Sequence, residues 1–203
     1  VALTSKIIAA CEQAGIRRYL HMSALGAHPD GPSHYQRSKA RAEEKVRAST
    51  LDWTIYRPSV VFGEGDLFLN MFARLLCFSP LLPLAGAGTK FQPVWVEDVA
   101  RAFVAGVERQ ELIGQTLSLV GPRVYTLAEL VRLAGEYSGA KRPVVPLPNW
   151  AARVQATLLS VLPNPPLTQD NLDSLTVDNV DPAGFPAVLG WQPMSLEEVA
   201  PGW

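Results

Sequence analysis

Apolar residues at Leu3, Ile7, Ile8, Cys11 and Ala14 recur at helical spacing, and Gly15 ends the run. The segment Ile16 to Ser23, IRRYLHMS, reads as a short buried strand. A Gly- and Pro-rich loop follows from Ala24 to Pro32. Ser33 then serves as N-cap for a helix from His34 to about Ala48. On that helix Arg41, Glu43, Glu44, Lys45 and Arg47 suit an exposed face. Trp53 to Arg57 forms the next strand, and Pro58 closes it. The first sixty residues therefore read α-β-α-β, half of a parallel layer. Two parallel strands alone leave edges uncovered, so further strands are expected before Val1 or from another chain.

The second half alternates less regularly. Helices are expected over Asp66 to Phe78, Glu97 to Glu108, Thr126 to about Ser138, Trp150 to Leu162 and Thr168 to Leu175. In the third of these, Leu127, Leu130, Val131 and Leu133 point inward. Strands are expected at Phe91 to Val96, Thr116 to Val120 and Val144 to Leu147, with a rigid loop over Pro163 to Pro166. These elements predict an α/β fold. It is the C-terminal part of a doubly wound parallel sheet with a smaller mixed α/β domain. Residues 1–63 form the sheet-bearing part, to which 91–108 return. Residues 64–90 and 109–203 make most of a substrate or C-terminal subdomain.

Composition changes little in this picture. The 203 residues are 48% hydrophobic and 18% charged, with a net charge of -1, which gives no reason to expect nucleic acid as a partner. Cys11 and Cys77 both fall in apolar helical patterns and read as small core residues, not as a disulfide or metal site. A reducing, cytoplasmic compartment fits. The stretch Leu75 to Ala87 is too short to span a bilayer and is broken by Pro80 and Pro83. The chain opens inside a helical pattern at Val1, without a signal peptide, which reads as a fragment.

The candidate chemistry centres on Tyr35-Gln-Arg-Ser-Lys39. Positions four apart share a helix face. An ammonium beneath the Tyr35 hydroxyl is expected to lower its pKa and let it exchange a proton at a carbonyl or alcohol. Ser23, at a strand end where sheet sites open, is placed to hold the same oxygen. Arg57, Glu97 and Asp98 read as structural, His21 as a satisfied core residue, and Trp95, Trp150 and Trp191 as packing anchors. His28 and His34 lack metal-ligand companions, and no metal site is expected. Gly63 and Gly65 read as a turn. The apolar run Phe68 to Leu84 suggests a hydrophobic lid suited to an apolar or quinone-like ligand.

HMSALGA, YQRSK and LDWTIYRPSVVFG, taken in order, resemble the second half of the Rossmann domain in extended and atypical short-chain dehydrogenases/reductases. PVWVEDVARAF and FPAVLGWQPMSLEEV are similar to later segments of the same superfamily. Within it, SALGAHPDGPSHYQRSKARAEE and FQPVWVEDVA resemble the accessory subunit of respiratory NADH:ubiquinone oxidoreductase and its bacterial relatives. The resemblance implies a catalytic Ser23, Tyr35 and Lys39, with Tyr35, Lys39, Pro58, Ser59, Val60 and Val61 against NAD or NADP. The twelve-residue spacing from Ser23 to Tyr35 is shorter than in sugar-nucleotide epimerases.

Three readings stay open. They are an NAD(P)-dependent oxidoreductase or epimerase, a nucleotide-binding assembly module of a respiratory complex peripheral to the inner membrane, and a redox-sensing regulator. No Gly-x-Gly-x-x-Gly or Gly-x-x-Gly-x-x-Gly turn occurs in the sequence. These 203 residues alone are therefore expected to bind nucleotide weakly or not at all, and tight binding by calorimetry contradicts that.

Overall fold

The computed structural model describes residues 1–160, 163 and 167–200. The last residues of the helix expected to reach Leu162, and most of the Pro163–Pro166 loop, lie outside them. Helix α1 (Ala2–Gln13) leads to strand β1 (Arg18–Met22), helix α2 (His34–Arg47) and strand β2 (Asp52–Pro58). Strands β1 and β2 are parallel, with Leu20 opposite Thr54 and Met22 opposite Tyr56. The capping box at Ser33 sets the start of α2: its hydroxyl accepts from Gln36 N, and the Gln36 side chain reaches back to Ser33 N.

The chain continues through β3 (Val61–Phe62), α3 (Phe68–Phe78), β4 (Leu82–Leu84) and β5 (Lys90–Phe91). Next come β6 (Val94–Trp95), α4 (Val96–Glu108) and β7 (Thr116–Leu119). Strand β7 pairs with β2 in parallel, so the sheet order is β1-β2-β7. The strand at 116–119 thus joins the parallel sheet, where the pattern alone had grouped it with the later subdomain. The expected strand 91–96 is split into β5 and β6, because Pro93 between them has no N–H to offer a ladder.

Side-chain alternation in β2 divides the core. Ile55 packs with Ile8, Val46 and Leu51, beneath α1 and α2. Tyr56 points to the opposite face and packs with Val99, Ala102 and Leu117, beneath α4. Helices cover both faces, as the doubly wound reading requires.

The remaining elements are β8 (Tyr125–Thr126), α5 (Leu127–Tyr137), β9 (Val144–Pro146), α6 (Asn149–Leu159), α7 (Gln169–Ser174) and α8 (Leu196–Val199). Helices α3 and α5 share a core in which Phe72, Leu76, Leu130 and Val131 are buried. Strand β4 pairs with β9, and β5 with β8. Asp98 does more than open α4: its carboxylate accepts from Trp191 Nε1 at 3.0 Å and Met194 N at 2.8 Å, pinning the C-terminal segment to that helix.

Three packing expectations need correction. Cys77 is exposed on the outer side of α3. Trp150 is 72% exposed on α6 and anchors no core. His21 is buried, but its Nε2 has no hydrogen-bond partner, and only Nδ1 meets the Tyr19 hydroxyl at 3.4 Å.

The contact between α4 and β2 is close. Tyr56 donates its hydroxyl hydrogen to Ala102 O at 2.8 Å, and a Cβ at Gly106 would collide with that hydroxyl. Gly106→Ala is expected to cost about 1–3 kcal/mol by overpacking. Urea denaturation checks this, and an unchanged midpoint contradicts it.

Candidate active site

The site opens where β1 and β2 end, the side of a parallel sheet at which ligands bind. Ser23 directly follows β1, and its backbone N–H donates to Tyr56 O at 2.7 Å. Leu25 N donates to Pro58 O at 2.8 Å, so the outgoing loop is laced to the end of β2. The first turns of α2 bring Tyr35 and Lys39 to the same place. Ser23, Tyr35, Lys39 and Pro58 to Val61 line one cavity of about 630 Å³. Every sequence-derived candidate therefore faces a common space.

The side-chain chemistry differs from expectation. Lys39 Nζ donates to Met22 O at 3.2 Å and lies 5.7 Å from the centre of the Tyr35 ring. It does not lower the Tyr35 pKa. Burial pushes the phenol above its ordinary value, so Tyr35 is a neutral O–H donor at neutral pH. Burial also pulls the Lys39 ammonium down, with Glu43 opposing that shift.

Glu43, expected on an exposed face, is fully buried. Its Oε1 accepts from Ser23 Oγ at 2.5 Å and Arg57 Nε at 2.8 Å. Its Oε2 accepts from Arg57 Nη2 at 2.6 Å and Arg47 Nη2 at 2.7 Å. Burial alone would raise the carboxyl pKa, but the hydrogen bonds from Arg57, Ser23 and Arg47 outweigh it and hold the group below the usual range. Arg57 is thus an ion-pair partner. Ser23 gives its proton to Glu43, leaving its oxygen lone pairs for the cavity.

Two residues far along the chain complete the site, and sequence reasoning missed both. Asn179 accepts from Ser59 Oγ at 2.6 Å and donates to Leu25 O at 3.2 Å. Asp170 accepts from His34 N at 2.5 Å and Tyr35 N at 3.2 Å, placing a carboxylate against the free amides that open α2. Asp66 also lines the cavity; one of its oxygens caps Leu69 N at 2.6 Å and the other is buried without a partner.

Comparison with known proteins fits this geometry. Residues 2–65 match the NAD(P)H-binding family model. The mouse protein named NADH dehydrogenase [ubiquinone] 1 alpha subcomplex subunit 9, mitochondrial, is 33% identical over 202 residues, covering 97% of this chain and 53% of that protein. Residues 2–65 belong to the NAD(P)H-binding family. A ceramide reductase from Caulobacter vibrioides is 31% identical over 145 residues, 71% of this chain and 46% of that protein. A nucleoside-diphosphate-sugar epimerase from Staphylococcus aureus shares the fold, with a TM-score of 0.71 at 15% identity over 98% of this chain and 69% of that one. The chain spans about half the length of the curated relatives it matches.

The NAD(P)H-binding match implies a nicotinamide nucleotide, and the donor set suits one. The Lys39 ammonium has three N–H donors and gives one to Met22 O, so donors remain for ribose hydroxyls. Val60 and Val61 offer an apolar wall beside them.

Glu43 yields a prediction about acid stability. A carboxylate whose folded pKa is depressed stabilises the fold above its unfolded pKa, and that contribution is lost as pH falls through the folded value. Glu43→Gln is expected to cost about 1–3 kcal/mol at pH 7, by removing the shared carboxylate from the partly exposed Arg57 and Arg47 guanidinium groups and from the Ser23 hydroxyl. It should also flatten the loss of stability below about pH 4. Denaturation midpoints across pH measure both, and equal acid sensitivity of variant and parent contradicts the assignment.

Proposed function

We propose that the full-length protein is an NAD(P)-dependent oxidoreductase in which Tyr35 is the proton donor, Lys39 holds the nucleotide ribose and Ser23 positions the substrate oxygen. The convergence of these three side chains with Pro58 to Val61 on one cavity is the observation that carries this reading. A bound nicotinamide nucleotide supplies or accepts the hydride.

The neutral Tyr35 hydroxyl donates a hydrogen bond, and then a proton, to a carbonyl oxygen beside it. Ser23, with its own proton committed to Glu43, accepts a hydrogen bond from the alcohol form of the substrate. This places the substrate oxygen between the Ser23 hydroxyl and the Tyr35 phenol oxygen. Lys39, whose ammonium is tied to Met22 O and lies 5.7 Å from the Tyr35 ring centre, keeps its remaining donors for the ribose.

A second reading follows from the mouse relative's name: a nucleotide-binding accessory subunit of a respiratory NADH dehydrogenase, peripheral at the inner membrane. The 33% identity with that protein, which extends over 97% of this chain, favours it. Among the described residues no helix is long and apolar enough to cross a membrane.

One variant separates the two. Tyr35→Phe in the full-length protein is expected to lower turnover about 100-fold or more while leaving nucleotide affinity nearly intact. Steady-state kinetics and nucleotide titration measure these. Unchanged turnover rejects Tyr35 as the proton donor. Normal assembly into a membrane complex, with no reductase turnover in the parent protein, supports the accessory role.

A further inference from the structure

We infer that a second cavity, adjoining the first at Tyr35, is the substrate pocket and takes an apolar chain that ends in a carbonyl or an alcohol. This deepens the reading of Tyr35 as proton donor and rests on it for the position of the reacting end.

The second cavity measures about 740 Å³, within the roughly 300–1,000 Å³ of small-ligand sites. Leu25, Tyr35, Phe68, Phe91 and Asn179 border both cavities. Tyr35 is 48% exposed at their junction and can meet a group entering from either side. Beyond it one side is apolar, with Met71, Phe72 and Leu75 from α3, Leu82 and Leu84 from β4, and Leu127 from α5, while Gln155 from α6 and Asp170, Asn171 and Ser174 from α7 also line the pocket.

Charge decides the ligand class. Among the described lining residues there is no Lys or Arg, and the one ionised group is Asp170. A nucleoside diphosphate needs cationic side chains or free backbone amides to replace water around its phosphates. The two amides best placed for that role, His34 N and Tyr35 N, already donate to Asp170. A carboxylate at that point repels a phosphate as well as blocking its donors.

An apolar chain meets no such penalty and gains from leaving water. One polar feature of the pocket has no internal partner. Gln155 Oε1, on α6, is buried and accepts no hydrogen bond. A hydroxyl or amide N–H along an otherwise apolar ligand would satisfy it, removing the cost of a buried acceptor left unpaired.

The test uses the full-length protein with its nucleotide bound. Cis-parinaric acid serves as the fluorescent probe. Straight-chain primary alcohols of increasing length, kept below micelle-forming concentrations, displace it. Each added methylene is expected to tighten binding about fourfold until the pocket is filled, the factor for moving one methylene out of water. UDP-glucose is expected not to displace the probe. Met71→Arg, which places a cation in the apolar wall, is expected to weaken the longest alcohol about tenfold or more, by removing apolar contact over more than one methylene. A flat series with chain length, no saturable probe binding, or displacement by UDP-glucose overturns the inference. The slope is an affinity measured without turnover, so it stands or falls separately from the role of Tyr35, and Tyr35→Phe is expected to keep it.

Discussion

The buried carboxylate of Glu43 is the constraint on which the site depends. It lies on α2, yet its partners come from three elements: Ser23 after β1, Arg57 on β2 and Arg47 one turn further along α2. A carboxylate removed from water is tolerable only when both oxygens are paired, and here both are. Because the partners come from separate segments, the ion cluster fixes where α2 sits over the sheet. That in turn fixes where Lys39 and Tyr35, about one and two turns earlier, project. The same cluster sets the direction of the Ser23 proton, which makes Ser23 an acceptor toward the cavity.

A second layer of polar ties closes the site from the far end of the chain. Asn179 joins the loop after β1 to the segment after β2, and it also receives the Gln92 backbone N–H at 3.2 Å. Asp170 binds the start of α2 directly. The apolar subdomain is thereby held against the edge of the sheet where β1 and β2 end, and the two cavities meet at Tyr35. In the proposed reading one cavity takes the nucleotide end and the other an uncharged chain, with a phenol between them. The fold thus separates the polar task from the apolar one.

Much of this was legible in the sequence because it rests on local periodicity. The helical spacing of α1, the Ser33 cap of α2 and the apolar stripe of α5 are short-range features, and the structure has them within a few residues. Ser23, Tyr35 and Lys39 could be singled out because each sits at a strand end or on one helix face, and Pro58 to Val61 because RPSVVFG resembles a cofactor-lining segment of a known family. Glu43 could not. It stands among Arg41, Glu44, Lys45 and Arg47 in a run that looks solvated, and only the distant Arg57 and Ser23 make its burial affordable. Asp170 lies 136 residues from His34 and Asn179 lies 120 from Ser59, so no spacing rule reaches them. Strand β7 was visible as a strand, but its place beside β2 is a matter of topology, which the pattern does not encode. The Tyr35 pKa went the other way because the folded chain buries part of the phenol, and Lys39 is tied to the Met22 carbonyl at the end of β1.

The tie between the two strand ends and α2 can be measured directly with a double-mutant cycle on Ser23→Ala and Glu43→Gln, read by urea denaturation at pH 7. The account predicts a coupling of about 1.5–3 kcal/mol, the range for a hydrogen bond to a charged group. Additive effects of the two substitutions would show that Ser23 and Glu43 do not hold one another, and the placement of the site would then need a different cause.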